Sequence, residues 1–178
     1  MNDVKYFLAF YQQKNPWLFI SRIIMFLEKR DTSHCEILEV TNNDLENGLS
    51  YGSVWPKSRV KPYREMKKHY TCKRVIPLKV TNDSNAHNYL KSLIGIDFSF
   101  LQIVAIGIKI IFGSFIKLLA KTQINLSKYL ICTEYCGIFM HNICGYELTS
   151  SPDMLELDEI EDIALKNLMR LDNDLSSN

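Results

Sequence analysis

Residues 129–145 read YLICTEYCGIFMHNICG. The apolar spacing and the closing Gly145 predict a helix that begins near Cys132 and stops at Gly145. A cysteine is a nucleophile only as thiolate, and the first turn of a helix lowers a thiol pKa through unsatisfied N–H groups and the helix dipole. Cys132 is expected in that turn. Cys136 and Cys144 fall later in the helix, where free cysteine is a habitual packing residue. A reactive thiol also needs an imidazole to take its proton and return it to a leaving group. Of the four histidines, His69 and His87 lie in polar connecting or capping stretches and are expected to be solvated. His141 follows Cys132 by nine residues on one helix, too far along the axis to touch it. That leaves His34, in the apolar run SHCEILEV (33–40). A strand histidine commonly has a structural role, so composition and position alone leave both readings of His34 open.

Upstream of the helix, the pattern is that of strands. VKYFLAF (4–10), SHCEILEV, LSYGSVW (49–55) and the Tyr70 to Val80 stretch read as strands of an antiparallel sheet. TNNDLENG (41–48) is a hairpin loop, and PKSRVKPYREMKKH (56–69) reads as a basic, proline-punctuated connection. Helices are expected over PWLFISRIIMFLEK (16–29) and over NDSNAHNYLKSLIG (82–95), which opens on capping residues and ends on Gly95. Residues 98–120, FSFLQIVAIGIKIIFGSFIKLLA, are the most apolar segment. Lys109, Lys117, Gly107 and Gly113 interrupt it, which favours a buried or interfacial helical hairpin over a membrane span. Lys109 and Lys117, with Lys121 extending their face, allow contact with a membrane surface. An acidic helical segment follows to residue 178. The fold class is therefore α+β.

The 178 residues suit one domain, and 47% hydrophobic with 23% charged residues is an ordinary globular balance. A formal net charge of +1 gives no electrostatic basis for a nucleic-acid partner. Five cysteines, an odd number without framework spacing, and an N-terminus without signal-peptide character predict reduced thiols and a cytoplasmic location. Cys132, Cys136, His141 and Cys144 fall close together, yet closed zinc sites favour two short ligand pairs held by knuckles, so no metal and no cofactor is expected.

Three pieces taken in order, Ser33-His34-Cys35-Glu36-Ile37, Gly95-Ile96-Asp97-Phe98 and Cys132-Thr133-Glu134-Tyr135, give the chain a resemblance. It resembles the circularly permuted NlpC-type papain-like hydrolases, including the YiiX-like and phage-encoded branches, in which the histidine strand precedes the cysteine helix. The resemblance covers roughly residues 1–157, with Ser151-Pro152-Asp153-Met154-Leu155 following the helix. It implies a domain over 1–157 with an apolar helical insertion at about 98–127, and an acidic helical tail over 158–178. It also implies a papain-like core in which the Cys132 helix packs on the sheet that carries His34, a polar third residue orienting the imidazole.

Glu36, two along from His34 and so on the same strand face, is the preferred third residue, because relatives often use a carboxylate. Ser53 is its rival. Glu134 is expected to cap the first helical turn, and the backbone N–H of Cys132 to stabilise an oxyanion. Phe98 stands where many relatives have tyrosine, and the segment 101–127 is longer and more apolar than the family pattern.

The activity implied is that of a cysteine amidase or peptidase acting through a thioester on a peptide or acyl-type substrate. Lecithin retinol acyltransferase-like chemistry on lipids is the second reading, motivated by the apolar segment. The third is a non-catalytic binding module, such as a phage factor acting on a host protein.

Overall fold

The computed structural model describes residues 3–15, 22, 25–26, 29–80, 83–99, 102–103 and 129–176. Within them the chain forms β1 (Val4–Gln13), β2 (His34–Thr41), β3 (Leu49–Ser53), β4 (Ser58–Pro62), α1 (Tyr63–His69) and β5 (Tyr70–Leu78). It continues through α2 (Asp83–Ser92), β6 (Asp97–Phe98), β7 (Tyr129–Leu130), α3 (Cys132–Asn142), a 3-10 turn (Pro152–Met154) and α4 (Leu157–Ser176). The five long strands make one antiparallel sheet in the order β4-β3-β2-β1-β5, which establishes the α+β class. A parallel two-strand pair, β6 with β7, stands beside it.

The connection expected over 56–69 is corrected: it contains strand β4 and helix α1. Pro62 punctuates that stretch in the sequence, but it sits on an edge strand, where a missing N–H breaks no ladder, as does Pro77 of β5. Pro62 is also the N-cap of α1, a position that asks for no intrahelical donor.

Both faces of the sheet are covered at β2, so that strand is buried from His34 to Val40 rather than alternating between core and solvent. Leu8, Phe10, Cys35, Ile37, Tyr51, Ile76 and Leu78 meet Tyr135, Cys136, Phe139 and Met140 of α3 on one face. Ala9, Tyr11, Leu38 and Val40 meet Tyr63 of α1 on the other. Because strand side chains alternate, His34 and Glu36 share the second face with Leu38, while Cys35 belongs to the first.

The core does not stop at residue 157, where the tail was expected to begin. Leu157, Ile160, Ile163 and Ala164 of α4 are buried in the main cluster. The acidic residues of this helix find partners: Arg30 pairs with Asp158 and Glu161, and Arg74 Nε lies 3.2 Å from Glu161. The first half of α4 thus belongs to the domain. The helix expected over 16–29 falls largely outside the described residues, as does most of the apolar segment 98–120 with Lys109, Lys117 and Lys121. Among the described residues no helix is long and apolar enough to cross a membrane.

Candidate active site

His34 is the first residue of β2 and stands opposite Tyr11 of β1. Its ring packs in a triangle with those of Tyr11 and Tyr70, with centroids 6.2 and 5.6 Å away, and only 6% of the residue is exposed. Nε2 of the imidazole is 2.7 Å from Oε1 of Glu36, the fully buried carboxylate two residues along the same face. Ser50 donates its hydroxyl to the other oxygen, Oε2, at 2.5 Å, and Tyr11 Oη lies 3.3 Å from the Ser50 Oγ. A guanidinium nitrogen of Arg59 reaches Oε1 at 3.4 Å. Burial alone would push the Glu36 carboxyl up, but His34, Arg59 and Ser50 outweigh it and hold it below the ordinary carboxylate range. An ionised carboxylate against the ring favours the imidazolium.

Cys132 opens α3, directly after the extended N-cap residue Ile131, and remains partly exposed. Its side chain lies beside His34 and Cys35, close enough for each to perturb the titration of the others. With Nε2 engaged by Glu36, Nδ1 is the imidazole nitrogen left for the thiol. Burial works against charge on His34, yet the Cys132 and Glu36 contacts raise its pKa to about 9. The thiol itself departs from expectation. Cys35 beside it and its removal from water push it well above the ordinary thiol value, against the opposing effect of His34. The helix N-terminus does not produce a resting thiolate by itself.

Backbone anchors fix where α3 begins. The Leu130 carbonyl accepts from Ser53 Oγ at 2.6 Å and from the Ser99 N–H at 3.3 Å. Ser53, the rival for the third position, therefore tethers the approach to Cys132 and is not the group bonded to His34 at Nε2. The Gly95-Ile96-Asp97-Phe98 stretch serves the same end: Gly95 N–H donates to Ser58 O, Phe98 N–H donates to Pro56 O, and β6 pairs with β7. Gly95 has φ 88°, a conformation that glycine adopts without the Cβ penalty.

Glu134 caps the helix as expected, its carboxylate accepting from the Ile131 backbone, and it also accepts from Gln102 Nε2 at 2.7 Å. Burial, with a smaller push from Asp153, raises its pKa to about 7 against the pull of Gln102 and the Ile131 N–H.

The remaining histidines stand apart. His69 is exposed, and His141 Nδ1 lies 3.1 Å from the Tyr146 carbonyl oxygen. His87 is not simply solvated: Nδ1 is 2.9 Å from Glu39 Oε2, beside the Tyr51 hydroxyl at 3.4 Å. Cys136 and Cys144 are buried packing residues. Among the described residues no group of three or more His, Cys, Asp or Glu is arranged to hold a metal ion.

Ser50, Gly52, Arg59 and Tyr70 were not singled out from the sequence. A buried carboxylate demands donors, so a partner for Glu36 could have been sought, but its identity depends on the register that sets β3 beside β2 and β4 beside β3. No protein-family model matches the chain, and no curated protein matches it in sequence.

Proposed function

We propose that this chain is a cysteine hydrolase of the amidase or peptidase type, with a permuted papain-like arrangement of its catalytic groups. One observation carries the reading: Cys132 at a helix N-terminus lies beside an imidazole that is held by a buried, donor-rich carboxylate. A raised pKa strengthens neutral His34 as a base but keeps the imidazole protonated up to about pH 9, so transfer of the thiol proton increases as pH rises toward 9. As Cys132 Sγ attacks a carbonyl carbon, His34 accepts that proton and Glu36 stabilises the imidazolium formed. The backbone N–H of Cys132 faces the developing oxyanion. Collapse expels the leaving amine or alcohol with the proton from His34, leaving a thioester. Water, deprotonated by His34, then releases the acid.

The same groups would serve an amide or an ester. The apolar segment that motivates a lipid substrate lies mostly outside the described residues, so the amide reading is preferred on the resemblance of the three motifs.

The test is alkylation of Cys132 across pH, followed by mass spectrometry, in wild type and in His34→Ala. Loss of the imidazole should slow alkylation by about 10²-fold, the lower end for a general base, with the largest difference as pH approaches 9. An activated ester should leave an acyl group on Cys132 in wild type and none in Cys132→Ala. Equal alkylation rates in wild type and His34→Ala, with no acyl adduct, would remove the catalytic reading in favour of a binding module.

A further inference from the structure

Cys35 is a buried thiol that the proposed reaction does not use. It sits in β2 between His34 and Glu36 but points to the opposite face, into the core with Leu8, Phe10 and Ile37, where α3 packs across the strand. Cys132 and Cys136 lie four apart on α3, hence on one side of it. Both face Cys35, which shares the core cluster with Cys136 and against which Cys132 packs. Exposure divides the three: Cys35 and Cys136 are 0% exposed, while Cys132 is partly open. A small oxidant entering from solvent meets Cys132, the one of the three with exposed surface, first, and Cys35 lies beside it.

We propose that Cys35 and Cys132 form a reversible disulfide modification site, with hydrogen peroxide as oxidant and Cys35 as the resolving thiol. Cys132 gives up its proton to solvent and its sulfur attacks one peroxide oxygen. An S–O bond forms, the O–O bond breaks, and one water leaves after protonation; the sulfur loses two electrons and the peroxide gains them. The Cys35 sulfur then attacks the Cys132 sulfenic sulfur, forming the S–S bond and breaking S–O, and the Cys35 proton leaves with the hydroxide as a second water. A dithiol reverses the linkage by exchange. In the disulfide form Cys132 has no thiol with which to attack a carbonyl, and overoxidation to sulfinic acid is avoided.

The site shares Cys132 with the proposed hydrolysis but rests on the placement of Cys35 beside it. A protein that forms the disulfide yet shows no His34-dependent alkylation would keep this inference and lose the hydrolase reading.

The experiment is brief treatment of the full chain with dilute hydrogen peroxide, then peptide mapping by mass spectrometry without reduction. The Cys35 and Cys132 peptides should appear joined, with loss of two hydrogens, and dithiothreitol should separate them and restore alkylation of Cys132. In Cys35→Ala, and in Cys35→Ser as a second variant, Cys132 should instead proceed to sulfinic acid that dithiothreitol does not reverse. Wild-type Cys132 recovered as sulfinic acid, joined to Cys136, or unoxidised while Cys72 is oxidised would each overturn the proposal.

Discussion

Gly52 stands beside Glu36 so closely that a Cβ on it would lie 2.4 Å from Glu36 Cγ and 2.7 Å from Cδ. Gly52 pairs with Arg59 on its other side. The bare backbone at 52 is the gap across which Arg59 and Glu36 meet. Glu36 cannot swing aside cheaply, because it is fully buried and both its oxygens are bonded.

Gly52→Ala should therefore displace the carboxylate from His34. Overpacking of this kind costs roughly 1–3 kcal/mol, to be read from denaturant unfolding. NMR titration should place the His34 pKa below its native value of about 9. A variant with native stability and an unchanged His34 titration would show that the gap has no role in holding Glu36.

Stability should depend on pH through His34. Its pKa rises from the ordinary 6.5 to about 9 on folding, so the folded state holds the proton more tightly. That contribution is complete below 6.5 and is lost as pH climbs through 9. At about 1.4 kcal/mol per pKa unit, wild type should lose roughly 3 kcal/mol relative to His34→Gln between about pH 6 and pH 10. Parallel urea midpoints for the two proteins across that range would refute the linkage.

Glu134 carries the same sign for a different reason. Burial raises this carboxyl from 4.5 to about 7, so its protonated form is favoured in the fold. Stability from that shift is present below 4.5 and is lost as pH rises through 7. Glu134→Gln keeps an acceptor for Gln102 and cannot ionise; near pH 8 it should match or exceed wild type, by about 1–3 kcal/mol at most. Thermal melts at pH 5 and pH 8 test this, and a variant less stable at pH 8 than at pH 5 relative to wild type would contradict it.

Ser53→Ala should act on Cys132 at a distance. It removes one of two donors to the Leu130 carbonyl, two residues before the nucleophile. The expected cost is about 1 kcal/mol, a typical net hydrogen bond, together with slower His34-dependent alkylation of Cys132 and an unchanged His34–Glu36 pair. A displaced His34 titration in Ser53→Ala would instead return Ser53 to the orienting role.

The strands 4–10, 33–40 and 70–80 and the helices at 83 and 132 were legible because each carries its own period and punctuation. β4 and α1 were not. The prolines around them, Pro56 and Pro62, read as breaks, and only the sheet order reveals that Pro62 lies on an edge where it does no harm. The start of α4 read as an acidic tail because charge dominates its composition. Arg30 and Arg74, which neutralise it, lie more than eighty residues earlier in the chain. His87 read as solvated because its partner Glu39 comes from a different element.

The sequence by itself determined which side chains could be reactive. A cysteine at a helix start, a histidine in an apolar strand and a carboxylate two residues on follow from local periodicity, since strand and helix geometry fix which neighbours share a face. What only the tertiary structure decided is how those groups are tuned. Packing α3 against β2 brings Cys35 to Cys132 and raises the thiol pKa that the helix start alone was expected to lower. The register of β3 and β4 delivers Ser50, Gly52 and Arg59 to Glu36. Protonation in a buried site depends on desolvation and on charges brought from distant parts of the chain, and neither is a property of local sequence.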